Sequence, residues 1–229
     1  MRGHAYVEGH LPFSDGFEKA LRWAGDAATI HVGDTQSITL NPWLEDLGVD
    51  ITSSSRRSRF YGHPKGVVIC AWLNLSEVLE VERNGDSEGI VVLPAHGRTP
   101  HVPSEYSGHA PWITAFDAEC LGGEPIDHIA EASAPAKATV EGLSDFIVRR
   151  QGLIDRRERD GVVQALTYLR AQGIALDPDA LLVEALRNEW AGAGPEDLRQ
   201  IAIDLNKGKR LKSSTRVNPA RLKEWAQST

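Results

Sequence analysis

Cysteine and long apolar runs are both scarce in this sequence. The chain of 229 residues has two cysteines, Cys70 and Cys120, which argues against a disulfide framework and favours a reducing, cytoplasmic environment. Its longest uncharged apolar run, residues 67–73, is far shorter than the roughly 20 residues that a membrane-spanning helix requires. The first residues also lack the apolar core of a signal peptide. We therefore expect a soluble globular chain that makes no contact with a membrane.

Several motifs of well-understood enzymes are absent as well. The sequence contains no Gly-x-Gly-x-x-Gly, no Gly-x4-Gly-Lys-Ser/Thr, no His-Glu-x-x-His and no Cys-x-x-Cys. These patterns supply the phosphate-binding turns and the metal ligands of common dinucleotide enzymes, P-loop NTPases, zinc proteases and zinc ribbons. Their absence argues against each of these classes.

The net charge of −7 is unevenly distributed along the chain. Residues 1–200 hold 18 lysines and arginines against 30 acidic residues, whereas residues 201–229 hold seven against two. The total charge argues against coating of nucleic acid by the whole chain, but the basic end has the sign that attracts phosphate. All eight histidines lie within the first 128 residues, which indicates that the two parts of the chain differ in chemistry.

The hydrophobic pattern of residues 1–130 predicts an α/β domain. Runs typical of strands cover residues 28–32, 37–40, 66–72, 90–93 and 112–116. Signals for the start of a helix, at Asp15, Asn41 and Ser76, fall between these runs. Because residues 67–73 are apolar at successive positions, they suit a strand that is buried on both faces. We expect a layered α/β domain with a mostly parallel or mixed sheet.

Residues 131–229 show a different pattern, in which apolar residues recur at helical spacing. Three helices are predicted to begin at Asp177-Pro178, Gly194-Pro195 and Asn218-Pro219, where proline occupies the first turn without the loss of a hydrogen bond. Residues 123–137 contain few bulky side chains and form the predicted connection between the two parts. We predict a C-terminal all-helical region with a basic end.

The most informative segment for function follows the predicted strand 90–93. It contains His96, Arg98, His101 and His109, and loops at the carboxyl ends of strands often bind ligands in layered α/β proteins. We predict that His96 or His101 acts as a general base or a metal ligand and that Arg98 neutralises phosphate charge. A solvated surface loop stiffened by proline is the alternative.

Asp117 and Glu119 follow the predicted strand 112–116. Residues at i and i+2 of a strand point to the same side, so these carboxylates are placed to share a divalent cation, with His109 as a further ligand. The order Phe116-Asp117-x-Glu119 resembles the first metal-binding motif of DnaQ-like exonucleases. The later histidine partner of that family has no counterpart here, because no histidine follows residue 128. Ordinary acids at the end of a strand are the alternative.

Three other polar residues lie next to predicted strands. His31 and Asp34 come at the end of the run 28–32, where they are candidates to join the same site. A turn with Asp34 as a helix cap is the structural alternative. By contrast, His63 precedes a strand, and we expect it at the opposite edge of a parallel sheet.

Two basic clusters are candidates for binding phosphate. The first consists of Arg56, Arg57 and Arg59, interspersed with serine. The second consists of Lys209, Arg210 and Lys212. We predict that both clusters bind substrate phosphates and that the second follows a nucleic-acid backbone. Solvated loops, or a linker that ends a helix, are the alternatives.

Two functions are compatible with these patterns. The first is an enzyme, a hydrolase or phosphoryl-directed enzyme, that acts on a nucleotide or nucleic acid through a His/Asp/Glu site in residues 1–130. A divalent metal ion is its candidate cofactor. The second is a non-catalytic adaptor that binds nucleic acid through the basic end or a protein partner through the helical region. The enzyme requires His96, His101 and the carboxylates to converge, whereas the adaptor requires a continuous basic or apolar face.

Overall fold

The computed structural model describes residues 3–9, 11–84, 86–93, 106–148, 152–153 and 155–229. The chain divides into two units, Met1–His128 and Ile129–Thr229. The first unit contains a parallel sheet with helices around it, and the described part of the second unit is helical. The predicted fold class, an α/β domain followed by a helical region, is confirmed.

The first unit is built from strands β1–β6 and helices α1–α4. The strands are β1 (Gly3–Tyr6), β2 (Ala28–Val32), β3 (Asp50–Ser53), β4 (Gly66–Ala71), β5 (Ser87–Leu93) and β6 (Glu119–Cys120). The helices are α1 (Phe13–Ala24), α2 (Thr35–Leu40), α3 (Leu75–Asn84) and α4 (Tyr106–Phe116), with 3₁₀ turns at Gly25–Ala27 and Pro42–Leu47. The runs that predict β2, β4 and β5 are confirmed, as are the helices predicted from Asp15 and Ser76.

The strands of this sheet are all parallel and lie in the order β3-β2-β4-β5-β1-β6. Helices cover both faces, which is why the central strands are apolar at successive positions. On one face, Phe17 of α1 and Ile38 of α2 belong to the same core as Ile30 of β2. On the other face, His4 of β1 stacks on Phe116 of α4 with ring centroids 4.1 Å apart, and α3 packs beside α4.

The strand order creates a crevice at the carboxyl edge of the sheet. β2 and β4 are neighbours, but α2 follows β2 on one face and α3 follows β4 on the other. In open α/β sheets such a reversal is where ligands commonly bind. Trp72, which follows β4 at this edge, has a backbone φ of 61°, a conformation that is costly for a bulky residue. Polar residues that follow β2 and β3 therefore lie where this fold favours a ligand.

Two of the predicted strands are helices. Residues 37–40 belong to α2, because the Asp34 carboxylate accepts a hydrogen bond from Ser37 N (2.8 Å) and caps the helix. Residues 112–116 belong to α4, in which Trp112 and Ile113 are fully buried. Both strand predictions are wrong, because a short apolar run does not distinguish a buried helix from a buried strand.

The sequence patterns also miss three strands, β1, β3 and β6. Each has four residues or fewer, and β3 and β6 are the two edges of the sheet. Edge strands are partly exposed, so they lack the continuous apolar run that identifies the central strands. The failure to predict β3 affects the prediction of function, because this strand contributes a residue to the candidate site.

The described part of the second unit consists of five helices, α5 (Ala134–Ser144), α6 (Arg156–Ala171), α7 (Pro178–Arg187), α8 (Gly194–Asn206) and α9 (Pro219–Ala226). The side chains of Asp177 and Asn218 cap α7 and α9 one residue before proline, as predicted. Apolar residues of all five helices form one core, which includes the fully buried Trp190. No helix within the described residues combines the length and the apolarity needed to cross a membrane.

Candidate functional site

Three predicted site residues, His96, Arg98 and His101, lie outside the described residues, between β5 and α4. Their roles as general base, metal ligand and phosphate-binding group stay predictions. The other predicted site residues fall within the described ranges, where their contacts show which of them are free to act.

His109 is a buried histidine in α4. Its Nε2 lies 3.0 Å from the carbonyl oxygen of Leu73, to which it donates, while Nδ1 has no hydrogen-bond partner among the described residues. Burial lowers the pKa of His109, so the ring is neutral at pH 7. A neutral imidazole held in this way by a carbonyl has a lone pair available, as a metal ligand requires.

The structure does not bring His109 together with Asp117 and Glu119. Asp117 is exposed just after α4, with a φ of 48°, and Glu119 begins β6, where it accepts a hydrogen bond from Trp23 Nε1 (3.1 Å). The expectation that both carboxylates continue a strand is wrong, because the preceding segment is helical. Eight residues of helix separate His109 from Asp117 by about 12 Å. Within the described ranges, no three His, Cys, Asp or Glu residues are close enough to hold one metal ion.

The arginine cluster after β3 contains both paired and unpaired cations. Arg59 donates to the carboxylate of Glu45, and its guanidinium lies 4.6 Å from the centre of the Phe60 ring. Arg56 and Arg57 are exposed and make no ion pair with a described residue. Arg56 and Arg57 are thus the members of this cluster whose charge is available to a ligand.

The C-terminal cluster is divided in the same way. Lys209 Nζ forms an ion pair with Asp204 Oδ1 at 2.8 Å. Arg210 and Lys212 are exposed, and neither forms an ion pair within the part of the chain that the structure describes. Of the three residues predicted to bind phosphate here, Lys209 is already engaged.

His31 lies at the centre of a hydrogen-bonded chain of three side chains. It is the fourth residue of β2 and pairs in register with Thr52 of β3. His31 Nδ1 lies 2.8 Å from Thr52 Oγ1, and Nε2 lies 2.8 Å from Ser54 Oγ. Thr52 belongs to β3 and Ser54 is the first residue after it, and both hydroxyls reach the same ring. The two hydroxyls therefore flank the imidazole ring, one at each nitrogen.

The hydrogen bonds around His31 are compatible with a proton on Nδ1. In that tautomer the Thr52 hydroxyl accepts from Nδ1–H and directs its own proton toward the carbonyl oxygen of Ile30, 3.5 Å away, while Nε2 accepts from the Ser54 hydroxyl. Burial lowers the pKa of His31 to about 4, with a smaller contribution from nearby His63. At pH 7 the ring is neutral, and in this tautomer the lone pair of Nε2 points at the Ser54 hydroxyl.

Ser54 and His31 line a pocket of about 180 Å³ between the sheet and α3. Other lining residues include Tyr61, His63, Glu80, Arg83 and Asn84. His63 Nδ1 accepts a hydrogen bond from Asn84 Nδ2 (3.2 Å), and Arg83 Nε donates to Glu80 Oε2 (2.7 Å). The pocket thus combines an exposed hydroxyl, a neutral base and a paired arginine.

The sequence indicates His31 as a candidate but does not identify its partners. Thr52 is not predicted as a site residue, and Ser54 is considered only as one of the serines next to the arginine cluster. His63 is expected at the opposite edge of the sheet, yet it lines the same pocket, because the pocket lies over one face. Asp34 caps α2, as its structural alternative predicts. The alternation Thr52-x-Ser54 next to a β-branched residue is the signal that would have indicated the missed strand.

The helical unit resembles a known family. A family model described as "Domain of unknown function (DUF1889)" matches residues 136–226, which contain α6–α9 and most of α5. The match does not extend to β2 or β3 and names no activity. No curated protein and no solved structure matches the chain.

Proposed function

We propose that the first unit is a hydrolase that acts on a phosphate-bearing substrate in the pocket of His31 and Ser54. The observation that carries this proposal is the hydrogen-bonded chain from Ser54 through His31 to Thr52. An exposed hydroxyl that donates to a buried neutral imidazole, itself held by a third group, is the arrangement of an activated nucleophile. The pocket of about 180 Å³ that both residues line provides space for a substrate beside the hydroxyl.

In the proposed reaction, Ser54 Oγ attacks the phosphorus atom while its proton passes to His31 Nε2. The bond from phosphorus to the leaving oxygen breaks, and His31 gives the proton to that oxygen. Water then attacks the phosphoserine and gives a proton to His31. The bond from phosphorus to Oγ breaks, and Oγ regains the proton from His31. Thr52 is a positioning residue, because it holds Nδ1–H and keeps Nε2 directed at Ser54.

Two features favour an anionic substrate. A base whose pKa is about 4 is weak at pH 7, but a phosphate bound beside the ring would raise that pKa by stabilising the imidazolium. Arg56 and Arg57 follow Ser54 closely in the chain, and their charge is not neutralised by a described residue. A neutral ester would not raise the pKa of His31 in this way.

Hydrolysis of 4-nitrophenyl phosphate and bis(4-nitrophenyl) phosphate tests the proposal. We expect turnover by the unmodified chain and a loss of roughly 10²- to 10⁴-fold in Ser54→Ala and His31→Gln. Ser55→Ala is the matched control, because Ser55 is the next residue and makes no hydrogen bond with His31. Equal rates for Ser54→Ala and the unmodified chain would contradict the site. Turnover of 4-nitrophenyl acetate but of neither phosphate ester would contradict the substrate class.

The positioning role of Thr52 has its own test in the pH dependence of the rate. Thr52→Val removes the acceptor of His31 Nδ1–H, so we expect a lower kcat and a displaced acidic limb of the pH–rate profile. Thr52→Ser keeps the hydroxyl and should restore both. A valine variant with an unchanged profile would show that Thr52 acts only through packing.

The adaptor hypothesis is the second candidate function, and an observation in the second unit favours it. Arg210 and Lys212 are exposed cations on a segment that Lys209 and Gln164 fix at its two ends. Binding of nucleic acid there is compatible with hydrolysis in the first unit, because the two proposals use different residues.

A further inference from the structure

Residues 207–216, the basic segment, join α8 to α9 and are exposed along most of their length. They include five lysine and arginine residues and no acidic residue. Flexible linkers of this composition are common and imply no ligand. The contacts at its two ends distinguish this segment from such a linker.

Lys209 fixes the first end of the basic segment to α8. Its backbone N–H donates to the Asp204 carbonyl oxygen (3.0 Å), and its Nζ pairs with Asp204 Oδ1 (2.8 Å). The hydrogen bond from Lys209 is the main cause of a lowered pKa of Asp204. The charge of Lys209 is therefore used within the protein.

Gln164 of α6 fixes the other end with three hydrogen bonds. Its Oε1 accepts from Arg216 N (2.8 Å) and Val217 N (2.9 Å), and its Nε2 donates to the Val217 carbonyl oxygen (3.0 Å). Arg216 Nε also lies 3.8 Å from Oδ2 of Asp160, a residue that is 2% exposed, and within the part of the chain that the structure describes this oxygen has no hydrogen-bond partner. Arg216 supplies the charge that a buried carboxylate needs, and it is not free for a ligand.

The residues between these ends differ in exposure. Leu211 packs against the core of the second unit, whereas Arg210 and Lys212 on either side of it are exposed. Three exposed hydroxyl residues follow, Ser213, Ser214 and Thr215. Guanidinium, ammonium and hydroxyl groups are the side-chain groups that contact phosphate oxygens in nucleic-acid complexes.

We propose that the basic segment binds the phosphate backbone of a nucleic acid, with Arg210 and Lys212 as phosphate contacts and Lys209 and Arg216 as anchors. A segment that is already ordered loses less conformational entropy on binding than a flexible tail does. A lipid surface is a poorer partner, because the one large apolar side chain of the segment, Leu211, packs against the protein core. This site shares no residue with the pocket of His31.

Fluorescence anisotropy with a labelled 20-nucleotide single strand and a 20-base-pair duplex, at 50 to 200 mM NaCl, tests the proposal. For the full chain carrying Arg210→Ala and Lys212→Ala, we expect weaker binding. The slope of log K against log salt should decrease by about 1.4 for the single strand or about 1.8 for the duplex. The control carries Arg156→Ala and Arg170→Ala, which remove the same charge from exposed positions of α6. The control should keep the slope of the unmodified chain.

Three outcomes would overturn the proposal. They are no binding of either oligonucleotide at 50 mM NaCl, an equal loss in both double variants, and tighter binding to phosphatidylserine vesicles than to either oligonucleotide. Gln164→Ala tests the anchoring separately: affinity should fall at every salt concentration while the slope stays unchanged, because order is lost but the phosphate contacts remain. Hydrolysis of the 4-nitrophenyl phosphates should be unaffected by all of these variants, so a failure here is distinguishable from a failure of the proposed hydrolase.

Discussion

Replacing His31 by glutamine tests how a buried imidazole couples stability to pH. The pKa of His31 is about 4 in the folded protein, compared with about 6.5 in an unfolded chain. The unfolded state therefore binds the proton more readily than the folded state does. The stability that neutral His31 contributes is complete above pH 6.5 and is lost as the pH falls toward 4.

The size of the effect follows from these two pKa values. Lowering the pH from 7.5 to 4.5 should remove about 2.5 kcal/mol from the free energy of unfolding through His31 alone. Screening by solvent is small, because His31 is 3% exposed. His109, whose pKa is also lowered by burial, adds a loss over an overlapping pH range in both proteins. Glutamine does not titrate, so His31→Gln should lose less stability over this pH interval than the unmodified chain.

Urea unfolding of the full chain is carried out at pH 7.5 and pH 4.5 and is monitored by deuterium exchange of peptides from β4 and β5. This probe reports the stability of the sheet. The quantity compared is the change between the two pH values, so a lower stability of His31→Gln at pH 7.5 does not affect the test. His128→Gln is the control, because His128 is exposed and does not line the pocket of His31. If His31→Gln and the unmodified chain lose the same free energy to within about 0.5 kcal/mol, His31 is not the neutral buried base described above.

Three further substitutions test packing and helix ends. Gly142→Ala places a Cβ 2.2 Å from the ring of Trp225, so we expect urea unfolding to show a loss of roughly 1–3 kcal/mol in the second unit; unchanged stability would contradict this contact. Asp34→Ala removes the acceptor for Ser37 N and should cost about 1 kcal/mol, whereas Asp34→Asn, which keeps a capping oxygen, should cost much less. Gly173 has a φ of 78° and open space around it, so Gly173→Ala should cost about 1 kcal/mol through backbone conformation alone, and Gly173→Asn should cost less.

The second unit is the part of the fold that the sequence predicts best. Asp177 and Asn218 each precede a proline, and a cap of this kind depends on residues within one turn of the chain. The segment 112–116 shows the opposite situation. Its apolar residues would be buried in either a strand or a helix, so the local pattern does not decide between them. In the folded protein the segment is helical, and the rings of Trp112 and Phe116 contact His4, which is distant in the sequence.

The site is less predictable than the fold, because it depends on the register of two strands. His31 and Thr52 are 21 residues apart, and they are neighbours only because β2 and β3 pair in parallel with one particular alignment. No tight turn fixes that alignment, as it would in a hairpin. The sequence therefore supports His31 as a candidate residue, but the folded sheet is needed to show that a serine hydroxyl lies at one nitrogen and a threonine hydroxyl at the other.

Ion pairs within the protein reduce the number of cations that either unit can offer to phosphate. If the basic segment were a flexible tail, its five cations would together contribute a salt slope of about 3.5 on a single strand or about 4.5 on a duplex. Releasing Arg216, however, would leave Asp160, which is 2% exposed, without its countercharge. Binding that keeps the anchors in place leaves Lys207, Arg210 and Lys212, of which Arg210 and Lys212 are the proposed phosphate contacts. Their double variant loses about 1.4 or 1.8 of the slope whether the segment is ordered or flexible. Adding Lys209→Ala distinguishes the two: an ordered surface, in which Lys209 stays paired with Asp204, should lose no more, whereas a tail that detaches from α8 should lose about 0.7 or 0.9 more.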